Sequence, residues 1–252
     1  MNKYANPGCI DVKAMYAAEK KKREQSTRVN QISREAVFNI LQDMRHLLII
    51  DTRTPEEFSK SHIRNSWSLQ LEENKEVETD FMKFCKKSQD KLVDPGDLHR
   101  RLLIITDDEQ SDITQIRKIL EGIQAFHKIM QLKSGFQDFY DKYSFLCVSD
   151  SSTNDDIQRA GSRYPSEIIP GKLFLGNFIN SMNETHFVNL GIKKLIGMTP
   201  NPAEKIGESE QITKYIHLEM SEVHKKLELD FEELSQLVRT TMEEEDGAVL
   251  IY

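Results

Sequence analysis

Short runs made wholly of apolar residues set the tightest limit on what this chain can become. Leu47-Leu48-Ile49-Ile50 and Leu102-Leu103-Ile104-Ile105 are each too short for a helix. Both are apolar on both alternating faces, as a strand must be when helices cover it from two sides. Lys128–Leu132 is a third strand candidate. Around these runs apolar residues recur every three to four positions: Ala36, Val37, Ile40 and Leu41 behind Ser33, a capping residue, and then Ile113, Ile116, Leu120 and Ile123. Strands alternating with helices predict an α/β fold with helices on both faces of a parallel sheet.

The pattern pauses over residues 148–163, VSDSSTNDDIQRAGSR, which offer little to bury and read as a linker. It resumes at Tyr164. Residues 168–176 suggest two short strands around Pro170-Gly171, and further strands are expected over 192–198, 215–218 and 248–252. Leu227, Phe231, Leu234, Val238 and Met242 form one helical stripe. The expected organisation is a polar lead-in over 1–30, a first domain over 31–147, the linker, and the first part of a second α/β domain over 164–252.

Composition removes several classes of function. A formal charge of −7 and a pI near 5.6 oppose general nucleic-acid affinity. The basic run Lys20-Lys21-Lys22-Arg23 reads as a solvated helix face. No stretch has the roughly 18 consecutive apolar residues of a membrane span. Cys9, Cys85 and Cys147 fit neither a CxxC metal pattern nor a disulfide framework. No metal or cofactor is expected, and the cytoplasm is the expected compartment.

The most specific local signal is Asp51-Thr52-Arg53-Thr54-Pro55-Glu56-Glu57-Phe58, followed by His62-Ile63. It resembles the D-x-R-x-x-x-E-[FY]-x-x-x-H-I signature of rhodanese domains. An ion pair between Asp51 and Arg53 is placed to pin the turn after the strand, and Pro55 suits a first helical turn. Asp51, Arg53, Glu57 and His62 are expected to hold scaffold. The resemblance puts the sulfur-carrying cysteine of active members directly after the next central strand, in a loop whose N–H groups cradle an anion. Here that position is Asp107, in the acidic run Asp107-Asp108-Glu109-Gln110-Ser111-Asp112. Such a loop repels an anion and lacks the thiolate that sulfur transfer requires.

Residues 132–139, with Tyr143 and Cys147, resemble the L-K-G-G-F-x-x-F…Y…C ending of the rhodanese-like domain in MAP-kinase phosphatases, with Ser134 replacing one glycine. Those domains dock kinases through an arginine cluster, and the corresponding candidates are Arg100 and Arg101. Residues 164–177, YPSEIIPGKLFLGN, resemble the opening of a dual-specificity phosphatase domain. The family's H-C-x-x-x-x-x-R motif follows the strand matching Val249-Leu250-Ile251. Tyr252 stands at its histidine, and Glu222 falls near its general acid.

The resemblance implies a non-catalytic pseudophosphatase that binds a protein partner, a MAP kinase or a phosphoprotein, in phosphorylation signalling. The alternative is a truncated version of an active dual-specificity phosphatase whose catalytic loop lies beyond residue 252. Truncation would leave the apolar surface of the 249–251 strand partly bare, which predicts a marginally stable C-terminal half, a partner that covers it, or an incomplete gene model.

Overall fold

A computed structural model describes residues 29–43, 47–69, 101–106, 113, 128–154, 157, 161–202, 209–219, 231–244 and 246–252. It is an α/β protein with two predominantly parallel sheets, and the chain divides into two compact units.

The first unit takes in Arg45–Phe58 and Asn65–Phe136, together with the chain up to Ile32. Its sheet is five-stranded, in the order β1 (Val29–Ile32), β6 (Lys128–Leu132), β5 (Arg101–Ile105), β2 (Leu47–Asp51), β4 (Ser66–Ser68). Every neighbouring pair runs parallel. The apolar runs occupy the middle because central parallel strands are covered on both faces. Ile49, Ile50, Leu103, Ile104, Ile105, Met130 and Leu132 are all buried. After β6, Ser134 adopts φ 66°, a left-handed backbone that costs a side-chain-bearing residue about 1 kcal/mol. This is the position where the related ending carries glycine.

The second unit is built from Ser33–Met44, Ser59–Arg64 and Gln137–Tyr252. Helix α1 (Arg34–Ile40) opens on Ser33, whose hydroxyl accepts the Ala36 N–H at 3.3 Å. β3 (His62–Ile63) pairs antiparallel with β7 (Cys147–Val148). The unit's sheet runs β11 (Lys214–Glu219), β10 (Ile192–Thr199), β12 (Ala248–Ile251), β9 (Leu173–Leu175), β8 (Ser166–Ile169). All its pairs are parallel except β8–β9, a hairpin turned at Pro170-Gly171 with Gly171 at φ 67°.

β12 is the middle strand of this sheet. Val249 and Leu250 are each 0% exposed, so the expectation of bare apolar surface is corrected at those two positions, while Ile251 is half-buried. The strand's edges are laddered by β9 and β10, and a further helix (Phe231–Glu243) packs on it.

In the same unit Asn183 caps the helix Glu184–Leu190, and His186 on that helix is buried. Its Nε2 lies 3.0 Å from the Ser162 hydroxyl and its ring 4.4 Å from that of Tyr164. Burial drives the imidazole pKa down to about 4, against a weaker opposing hydrogen bond to the Asn180 backbone. A base whose folded pKa is depressed stabilises the fold fully above its unfolded pKa of about 6.5, and loses that stability as pH falls from there toward 4. We expect on the order of 2 kcal/mol to disappear across this window. Thermal melting from pH 7.5 to 4.5 should fall less steeply in His186→Gln. Parallel curves would show that the imidazole is not the titrating group.

Candidate functional site

In a parallel α/β sheet, chemistry gathers beyond the carboxyl ends of the strands. In the first unit, β2 delivers Asp51 to that edge and β5 ends beside it. The Asp51 carboxylate is fully buried and holds Arg53 in two ways. Oδ1 accepts the Arg53 backbone N–H at 3.1 Å and its Nε at 3.0 Å, while Oδ2 accepts Nη2 at 2.7 Å. The guanidinium carbon sits 3.5 Å from the ring centroid of Phe136, which α3 (Gly135–Tyr143) supplies at its start. Arg53 therefore spends its charge on a carboxylate and its flat face on an aromatic ring. Backbone bonds lace the same edge: Thr52 donates to Ile105 O, Leu69 to Asp51 O and Phe136 to Thr106 O.

Glu57 works with Thr54. Its Oε2 accepts the Thr54 N–H at 3.0 Å and hydroxyl at 2.8 Å, and the Thr54 Oγ accepts the Glu57 N–H at 3.3 Å. This is a capping box at the start of α2 (Pro55–Lys60). The Thr-x-x-Glu spacing ahead of a helix was available in the sequence as its signal. His62 lies on β3, with Val148 as its ladder partner. The structure thus brings Asp51 and Arg53 together and gives Glu57 and His62 separate local settings. Asp107, Glu222 and Arg100 lie outside the described residues; Arg101 opens β5.

The carboxyl end of β12 carries Tyr252. Its N–H donates to Ile196 O at 3.1 Å and its carbonyl accepts from Met198 at 2.7 Å, so the ladder continues through it. Its hydroxyl stands 3.3 Å from that of Tyr215. A Cβ on Gly197 would come within 2.8 Å of the Tyr252 hydroxyl, so the ring lies against backbone that only glycine leaves open. Burial, reinforced by the bond with Tyr215, raises the Tyr252 pKa and keeps the phenol neutral.

A third cluster was not foreseen from the sequence. Glu167 on β8 is buried. Its carboxylate accepts the Tyr143 hydroxyl at 2.5 Å, the Gly171 N–H at 2.7 Å and Lys142 Nζ at 3.1 Å. Burial first, and this carboxylate second, raise the Tyr143 pKa. Nearby Glu35 would be pushed up by burial, but hydrogen bonds, chiefly from Arg34, hold it down to about 2. Among the described residues no group of three or more His, Cys, Asp or Glu could hold a metal ion, and no helix is long and apolar enough to cross a membrane.

Residues 35–142 match the rhodanese-like domain family. A probable rhodanese domain-containing dual specificity protein phosphatase of Dictyostelium discoideum is 24% identical over an alignment covering 64% of this chain and 46% of that protein. The chain thus spans about half the length of that curated relative. Among solved structures, a thiosulfate sulfurtransferase from Pseudomonas aeruginosa is 10% identical, with a TM-score of 0.36 over 94% of this chain and 44% of that one. The polysulfide-sulfur transferase of Wolinella succinogenes is 14% identical, with a TM-score of 0.33 over 57% and 94%.

Proposed function

We propose that this chain, which carries a rhodanese-like domain at residues 35–142, works by binding a protein partner in phosphorylation signalling and does not transfer sulfur. The observation that carries this reading is the state of the strand ends in the first unit. Where an active member places its thiolate, the sequence has Asp107, followed by further acids. The cation nearest in sequence to the β2 end, Arg53, is neutralised by Asp51 and stacked on Phe136. An anionic persulfide intermediate needs a sulfur nucleophile and a positive cradle. Neither is offered by these residues. Purified protein is expected to show no thiosulfate:cyanide turnover above a buffer blank, and turnover above it would refute the reading.

The partner we favour is a MAP kinase, docked through Arg100 and Arg101 by analogy with the phosphatases whose ending the chain resembles. Exchanging both arginines for alanine should abolish co-purification with the kinase while leaving the melting curve in place. Retained binding would discard that docking site.

A second reading, an active dual-specificity phosphatase, is favoured by the central position of β12 and by the Dictyostelium relative. It requires a cysteine after the residue at position 252 and an arginine six residues further on. Reading the transcript past the Tyr252 codon separates the two: that pair restores the enzyme, and its replacement by other residues supports the binding protein.

A further inference from the structure

We propose that the face formed by α1 and the end of α3 is a peptide-docking groove, held closed in cis by residues 164–167, and that its partner is an extended peptide with an aromatic residue three positions before a glutamate. This goes beyond the reading above and holds whether or not the chain catalyses anything.

Asn39 spends both halves of its amide on the backbone of one residue. Its Nδ2 donates to Glu167 O at 2.8 Å and its Oδ1 accepts the Glu167 N–H at 2.7 Å. A neighbouring β-strand would satisfy an extended chain in the same manner. Three residues on, in the turn just past the helix, Gln42 Oε1 accepts the Tyr164 N–H at 2.8 Å. These two amides read main chain and demand extended backbone. Pro165, between them in the bound segment, has no N–H to satisfy and favours extension in the residue before it.

Side chains add the selectivity. The Tyr164 ring lies 4.7 Å from Phe145 and 6.2 Å from Phe38 between centroids. Three positions on, the Glu167 carboxylate meets the Tyr143 hydroxyl and Lys142. A buried acid facing a cation and a phenol is specific, because an uncharged replacement leaves buried donors poorly met. A partner lacking either the ring or the acid has no equivalent set of contacts.

The test keeps the full chain, nicked at one protease site inserted at the exposed Ser151. The probe is a synthetic peptide of residues 162–171. The two pieces should co-elute after nicking, and excess peptide should release the C-terminal piece. A peptide with Glu167→Gln should be at least about tenfold weaker. In parallel, uncut chain carrying Tyr164→Ala and Glu167→Ala should bind the labelled native peptide at least about tenfold more tightly than wild-type chain does, since its own segment no longer competes. Pieces unmoved by saturating peptide would overturn the proposal, as would equal potency of the glutamine peptide. So would spontaneous separation of the pieces with no peptide bound by the N-terminal one.

Discussion

Replacing Asp51 with alanine is expected to cost about 3–5 kcal/mol of folding stability, the usual consequence of breaking a buried ion pair by removing one partner. The Asp51 side chain is 0% exposed and that of Arg53 6%. Removing the carboxylate takes the Asp51 ion pair from a guanidinium stacked on the Phe136 ring, and deprives the Arg53 N–H of its acceptor. The loss would propagate because the same two residues end β2 and start the turn into α2. Removing both charges together should hurt far less: Asp51→Ala with Arg53→Met trades an ion pair for apolar packing, which is often close to neutral. Denaturant midpoints at pH 7 for the two variants give the comparison. A cost under about 1 kcal/mol for Asp51→Ala alone would mean that the pair does not hold the turn.

How far the sequence discloses this fold depends on where each strand lies. β2, β5 and β6 stand out as apolar runs because strands buried on both faces have no reason to carry polar residues. β1 and β4 lie at the sheet's edges, and their sequences, Val-Asn-Gln-Ile and Ser-Trp-Ser, hold too few apolar residues in too short a span to be distinguished from loop. The Pro-Gly turn of the β8–β9 hairpin was readable because its chemistry is local. Ser134 shows the reverse case: nothing in its identity announces a left-handed backbone, and only the glycine in the related pattern hints at it.

The functional residues divide on the same line. Asp51 with Arg53, and Thr54 with Glu57, are close in sequence and can be inferred from spacing. The cluster around Glu167 could not be. Asn39 is 128 residues away from it and Tyr143 is 24 away, and in the sequence Glu167 fills a variable position of the second resemblance. Pattern reading recovers contacts that a turn or a helix face makes, whereas contacts made by packing need coordinates. The cis-held peptide groove comes from geometry alone, which makes it the more informative target for experiment.

Lys194 should produce the second large effect. It points inward from β10 at 1% exposure. Its ammonium donates to Thr241 O at 2.9 Å and Glu244 O at 2.8 Å, carbonyls at the carboxyl end of the helix Phe231–Glu243. These are oxygens that a helix leaves without internal partners, and the dipole there favours a cation. A buried lysine persists at this point because it meets that need, and the helix end in turn depends on it. Lys194→Ala is expected to cost about 3 kcal/mol, combining unmet carbonyls with a cavity beside β12. Lys194→Met fills the cavity and removes the cost of desolvating an ammonium, so its penalty should be less than half as large. If methionine proves as damaging as alanine, charge at the helix end outweighs volume. If both are silent, the helix terminus is satisfied without Lys194, and its burial owes nothing to the helix.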